Sequence, residues 1–314
     1  MLVWLKRFWL SFFILFALLF IGHYLWIEKD KLENHLTLNP HYLWIAVVLQ
    51  ILFLLLTAYL WRYNILQLTP LKIKFKSALM QIILLMIGKY LPGKVWGMFA
   101  RGTQLKNKGL SWTEIISLTL QEQFALVHSG AILAATLWAV LTQELLWVCI
   151  AVLAWLSIGL GRVLLSLSFR FYNVISRWFI KKEIEGLTDL PLLDITAYFY
   201  LIIGFVTAWS MLGLVYSGVY FAFVNALFNV ELILWITLAN VVGMTVGFFA
   251  LFAPGGIGVR ESVSTLFLIQ FMPLEQAIMA SLLFRFWTVC TELLAGILLL
   301  MVSEEKTTTT SLEQ

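Results

Sequence analysis

Residues 8–27, 41–61, 113–141, 145–165, 192–222 and 274–302 form six predominantly apolar stretches, each twenty residues or longer. A helix needs about 20 such residues to cross the ≈30 Å hydrocarbon core of a bilayer. In that core every backbone N–H and C=O must find its partner within the protein, so runs of this kind become helices. Six of them in one chain specify an all-α polytopic bundle with lipid as its main solvent. The composition agrees: 61% of the 314 residues are hydrophobic, 12% are charged and the mean hydropathy is +0.93, whereas about a quarter of a soluble domain is charged. Trp26, Trp44, Trp61 and Trp147 flank apolar runs, where interfacial anchors belong.

Several function classes fall away at this point. The formal net charge of +4 comes with no basic stripe carrying stacking aromatics outside the apolar segments, so a nucleic-acid partner is not expected. Cys149 and Cys290 lie inside apolar runs and read as small buried packing residues. There is no CxxC pair, and four histidines make no convincing metal cluster, so neither metal nor cofactor is expected. No nucleophile–base pair or carboxylate dyad emerges, which gives no positive sign of catalysis. Lys6 and Arg7 followed by an apolar run imitate a signal peptide. No small-x-small cleavage site follows, so residues 8–27 are expected to stay as the first membrane helix.

Lysine and arginine set the orientation. Placing Lys6, Arg7, Arg62, Lys72, Lys74, Lys76, Arg101, Lys106, Lys108, Arg162, Arg170, Arg177, Lys181, Lys182 and Lys306 inside, with Lys29 and Lys31 outside, puts both termini in the cytoplasm. The apolar run at 77–88 then leaves the cytoplasmic face and returns to it before Arg101. Two full crossings do not fit in about 25 residues at 1.5 Å rise per residue. Residues 77–98 are therefore predicted to form a re-entrant hairpin with its tip at Pro92-Gly93. Residues 232–252 are followed by "APGGIG" and read either as a second re-entrant limb or as a full crossing that leaves Arg260 cytoplasmic.

The two interruptions look like copies of one device. "YLPGKVWGMFAR" and "FAPGGIGVRE" each place Pro-Gly after an apolar run and an arginine beyond it. Pro92 stands 30 residues before Glu122, and Pro254 stands 31 before Arg285. Each half reads helix, helix, broken segment, long helix, the first starting from the cytoplasm and the second from outside. The expected fold is one membrane domain over 1–302, built as an inverted repeat of 1–142 and 143–302, with six full crossings and two re-entrant hairpins. A disordered cytoplasmic tail is expected over 303–314. Residues 163–182 put Arg170, Asn173, Arg177 and Lys181 on one helical face. They read either as an amphipathic helix on the inner leaflet or as an extension of the fourth crossing into the cytoplasm.

Broken backbone at membrane depth survives only where protein or water covers it. Gly255, Gly256 and Gly258 permit a tight turn, and the helix beginning near Gly258 aims free N–H groups at the break. Arg260 adds a guanidinium fork suited to phosphate. The first hairpin repeats the recipe with Lys89, Lys94 and Arg101. Glu122, Arg260, Glu261, Arg285 and Glu292 are expected intramembrane charges, each costing roughly 2.5–3.5 kcal/mol at a helix centre before pairing. Glu122 with Arg285 is a candidate cross-repeat pair. The candidate head-group site is therefore Lys89, Pro92, Gly93, Lys94, Arg101, Glu122, Pro254, Gly255, Gly256, Gly258, Arg260, Glu261 and Arg285. His128 reads as a helix-packing hydrogen bonder, and Glu114 and Asp194 as carboxylates at helix starts.

"APGGIGVRE", with "LPGKVWGMFARG" about 160 residues upstream and "LLFRFWTVCTELLAGI" carrying Arg285 downstream, resembles the lysylphosphatidylglycerol synthase transmembrane-region family. That family is similar to the flippase portion of the multiple peptide resistance factor. The resemblance covers roughly residues 8–302. The long helix in this family often carries Glu-Arg, whereas this chain reads "QEQ", so Glu122 matches and Gln123 does not. No stretch resembles the soluble synthase domain, so aminoacylation of lipid is not expected. The resemblance implies membrane-lipid translocation, or help to a lipid-modifying system, in a bacterial or archaeal cytoplasmic membrane. The function expected is a translocase moving an anionic phospholipid or polyprenyl-phosphate-linked lipid. A non-catalytic subunit of a membrane enzyme system and an intramembrane lipid transferase are the alternatives.

Overall fold

The computed structural model describes residues 38–90, 96–179, 187, 189–224, 226–250 and 254–310. The expected helix at 8–27 and the Pro92-Gly93-Lys94 turn lie outside them. The elements in chain order are α1 (Pro40–Leu68), α2 (Phe75–Gly88), α3 (Trp96–Lys106), α4 (Trp112–Thr142), α5 (Leu145–Leu156), a 3₁₀ turn (Ser157–Leu160), α6 (Gly161–Phe179), α7 (Ile195–Phe223), α8 (Val230–Phe249), a second 3₁₀ turn (Pro254–Gly256), α9 (Val259–Leu268) and α10 (Leu274–Thr310). Among the described residues six spans are long and apolar enough to cross a membrane: Pro40–Leu68, Trp112–Thr142, Leu145–Val174, Ile195–Phe223, Val230–Phe249 and Leu274–Leu299. The protein is an all-α polytopic bundle. Val230–Phe249 is one of the six, so the segment that the sequence leaves between a re-entrant limb and a full crossing has the length for a crossing.

Local chemistry fixes where these helices begin. Asn39 caps α1 through the His41 amide at 3.2 Å, with Pro40 in the first turn. Ser111 and Glu114 form a reciprocal capping box at the start of α4. Asp194 accepts from the Ala197 amide at 2.6 Å to open α7. The two carboxylates thus do at helix starts what their positions suggest. The last helix runs on to Thr310, beyond the boundary at 302 set by the apolar run, because Ser303-Glu304-Glu305-Lys306 contains no residue that breaks a helix.

Helix α7 is the hub. It packs against α1, α4, α8 and α10, and Leu212, Val215, Tyr216 and Val219 sit in the core with Ala239, Val241 and Ala280. Trp61 is not an interfacial anchor: it is fully buried, its indole N–H donates to Gln81 Oε1 at 2.7 Å, and its ring lies 3.7 Å from the Arg101 guanidinium carbon. Cys149 and Cys290 are exposed rather than packed inside. In a membrane helix the lipid-facing and protein-facing positions are both apolar, so hydrophobicity alone does not separate them.

Candidate functional site at the meeting of two hairpins

Two pairs of helices fold back on themselves. Helices α2 and α3 cross so closely that a Cβ built on Gly88 would overlap the Gly97 backbone, and one on Gly97 would stand 2.7 Å from the Leu85 carbonyl. Helices α8 and α9 are the second pair, joined through the Pro254–Gly256 turn. There Gly255, Gly256 and Gly258 have φ of 59°, 71° and 84°, a region that costs other residues roughly 1–2 kcal/mol each. Glu261, at the third position of α9, folds its carboxylate back onto the Gly258 amide at 2.7 Å. By length, α2, α3 and α9 reach only about 21, 16 and 15 Å, well short of a crossing.

The two hairpins touch at their breaks. The Gly255 amide donates to the Lys89 carbonyl at 2.9 Å, and Arg285 Nη1 donates to the Gly255 carbonyl at 3.2 Å. Around this backbone junction stand Lys89 paired with Glu292, and Arg285 Nε paired with Glu261 Oε1 at 3.4 Å. Arg285 and Glu292, seven residues apart on one face of α10, are both buried. The Tyr90 ring lies 5.3 Å from Lys89 Nζ and 5.4 Å from the Arg285 guanidinium. The motif's glycines have a second role beside their φ. A Cβ on Gly256 would sit 2.7 Å from Arg260 Nε, and one on Gly247 would sit 2.9 Å from the same atom and overlap the stem. Arg260 therefore occupies a notch that only glycines leave open.

Beside the junction is a small cavity lined by Tyr216, Asn240, Met244, Arg260, Glu261, Ser264, Ser281, Phe284, Arg285 and Thr288, with room for about one water. One end is charged. The other is neutral and hydroxylated: Tyr216, stacked on Phe284 at 4.2 Å, donates to Ser281 at 3.2 Å. Several polar atoms here have no hydrogen-bond partner among the described residues: Arg260 Nε, Arg285 Nη2 and Asn240 Nδ2. Leaving such groups unmade in a dry interior costs about 1–3 kcal/mol each and more for charged ones. Lys89, Arg260 and Arg285 face two carboxylates, Glu261 and Glu292, so the cluster carries an excess of positive charge.

The structure brings together Lys89, Gly255, Gly256, Gly258, Arg260, Glu261 and Arg285 from the expected site, with Pro254 in the turn itself. Arg101 and Glu122 do not line the cavity. They pair with each other at 2.8 Å, almost wholly buried, with Trp61 stacked on the guanidinium. The cross-repeat pair Glu122–Arg285 is thus replaced by two local pairs: α3 to α4 through Arg101–Glu122, and α9 to α10 through Glu261–Arg285. Each links the second limb of a hairpin to the long helix that follows, with the signs exchanged. Gln123 donates to Glu122 at 3.3 Å, and Arg101 supplies the cation. Pro92, Gly93 and Lys94 lie outside the described residues. His128 bridges helices, bonded to Tyr198 at 2.6 Å and Ser157 at 2.7 Å.

Sequence reading misses Tyr90, Asn240 and Gly247 as parts of this site, because an aromatic, an amide and a glycine inside apolar runs carry no local mark of function. Glu292, an expected intramembrane charge, is absent from the expected site, although it shares a helical face with Arg285.

The family model described as "Lysylphosphatidylglycerol synthase TM region" matches residues 8–296. A comparison with curated proteins found no match.

Proposed function

We propose that this chain, which belongs to the lysylphosphatidylglycerol synthase transmembrane-region family, is a lipid translocase. An anionic phospholipid or polyprenyl-phosphate-linked head group crosses at the hairpin junction while its tails remain in lipid. In this reading α2–α3 and α8–α9 dip from opposite leaflets as re-entrant hairpins of an inverted repeat, with both termini in the cytoplasm. Helix α8 is then tilted, so that its length of about 30 Å does not complete a crossing. The observation that carries it is the charged cluster where the two breaks meet. Five ionic groups held at membrane depth would each cost roughly 2.5–3.5 kcal/mol before pairing, which apolar packing would avoid. Among the described residues Arg260 Nε and Arg285 Nη2 have no hydrogen-bond partner, and such nitrogens suit phosphate oxygens. Glu261 and Glu292 hold the cations when no lipid is present.

The cavity has room for about one water, so a head group passes only when the hairpins part. The Gly255–Lys89 bond and the Lys89–Glu292 pair are the contacts that must open. The test is movement of a labelled anionic lipid between leaflets of proteoliposomes. Arg260→Ala is expected to slow it at least tenfold, and unchanged movement removes this site from the mechanism. The same small cavity and paired charges favour a second reading, a non-catalytic membrane subunit whose ion pairs only join helices. A stably co-purified enzyme together with no lipid movement would select it.

A further inference from the structure

Helix α6 has two distinct faces. Gly161, Leu165, Phe169 and Asn173 are buried against the bundle. Val163, Leu167, Phe171 and Val174 are exposed, Phe171 at 66%, and fall within an arc of about 80° at 100° per residue. Arg162 and Arg170 are exposed; on the helical wheel Arg170 falls between these two faces, and Arg162, in the first turn, falls on the side of the buried one. The helix follows α5 through the 3₁₀ turn, whose flanking residues Leu156 and Gly161 keep helical φ and ψ. Ser157 in the 3₁₀ turn is bonded to His128 at 2.7 Å, and a Cβ on Gly161 would overlap the Tyr198 ring.

Length decides where this helix lies. The twelve residues of α5 and the four of the 3₁₀ turn rise about 26 Å, close to the whole hydrocarbon thickness. The nineteen residues of α6 would add about 28 Å, past the 40–45 Å that includes both head-group layers. Standing upright, α6 would carry Leu167 and Phe171 through the head-group layer and Val174 beyond it. The exposed apolar row continues from α5, where Leu145, Val152, Leu153 and Leu156 are also exposed, so both rows share one solvent.

We propose that α6 is an anionic-lipid-binding surface helix: its exposed apolar row lies in the acyl boundary, and Arg162 and Arg170 engage lipid phosphates beside it. The combination of an apolar face and two exposed arginines, Arg170 at its edge, is complementary to an anionic leaflet. This surface is separate from the hairpin junction and does not depend on the translocase reading.

The test uses the full chain in nanodiscs, with Cys149→Ser and Cys290→Ser as background. Nitroxides placed by Leu167→Cys and Phe171→Cys are expected to collide more with oxygen than with a water-soluble nickel chelate, and one placed by Arg170→Cys less so. Nickel access at Phe171 equal to that of a loop position overturns the proposal. So does shielding from both reagents, which would mean that a protein or a second copy covers the face. In nanodiscs of equal phosphatidylglycerol and phosphatidylcholine, native mass spectrometry should show the ratio of retained glycerol to choline lipid falling at least twofold in R162Q/R170Q. An unchanged ratio also overturns it. Should the double variant fail to fold, the collision measurements decide alone.

Discussion

The amide of Gly255 donates to the carbonyl of Lys89 at 2.9 Å, across 166 positions of sequence. The bond runs from backbone to backbone, so no side-chain pattern announces it. It pairs two backbone groups, one at the end of helix α2 and one in the turn after α8, that have no partner inside those helices. Gly255 is the residue that permits it: its φ is 59°, and a Cβ there would stand 3.0 Å from Arg285 Nη2 and 3.2 Å from the Tyr90 ring.

Gly255→Ala should therefore lose about 1–2 kcal/mol from the left-handed backbone alone and displace Arg285 as well. Thermal unfolding in detergent measures the first, and lipid movement in proteoliposomes the second. Gly109, with φ of 101° and open space around it, is the control. Gly109→Ala should share the backbone cost and leave lipid movement intact.

Arg101→Ala leaves Glu122 buried without its cation and is expected to destabilise the fold by about 3–5 kcal/mol. Arg101→Met with Glu122→Leu should recover most of that loss, because paired removal leaves no orphaned charge. A shift in the detergent melting temperature reads both.

Gly247→Val places a side chain in the notch that holds Arg260. It should reproduce the effect of Arg260→Gln on lipid retention, about tenfold weaker by native mass spectrometry, although no charge has changed. Normal lipid retention in Gly247→Val would show that the position of Arg260 does not matter.

Lys89 and Glu292 join the first hairpin to the last helix. Lys89→Glu or Glu292→Lys alone should bring like charges together and lower the melting temperature by several degrees. The exchange Lys89→Glu/Glu292→Lys should restore it, which would establish the pair as a contact between these two elements.

Much of this architecture was legible in residue order. A run of twenty apolar residues has few outcomes besides a membrane helix, and Ser111 with Glu114, or Asp194, marks a helix start by chemistry that acts within one turn. The interruption at Pro254-Gly255-Gly256 was equally plain, since proline and glycine act on their own backbone. Trp61 and the two cysteines were misread for one reason. Which way a membrane helix turns its face is set by its neighbours, and lipid and protein interior look alike to an apolar side chain.

The partners of the charges were beyond the sequence for a related reason. Glu122 had Arg101 and Arg285 as possible cations, and choosing Arg101 at 2.8 Å depended on how closely α3 packs on α4. Sequence by itself determined that the chain is a helical membrane protein, where its helices break, and that its charges must be neutralised at depth, because those follow from solvation and local backbone sterics. Only the tertiary structure decided that the two breaks meet at Gly255 and Lys89, that Gly247 makes room for Arg260, and that Arg101 and Glu122 close on each other away from the cavity. Those contacts are made across long sequence separations by close packing, and a Coulomb or hydrogen-bond preference becomes a definite partner only once the distances are fixed.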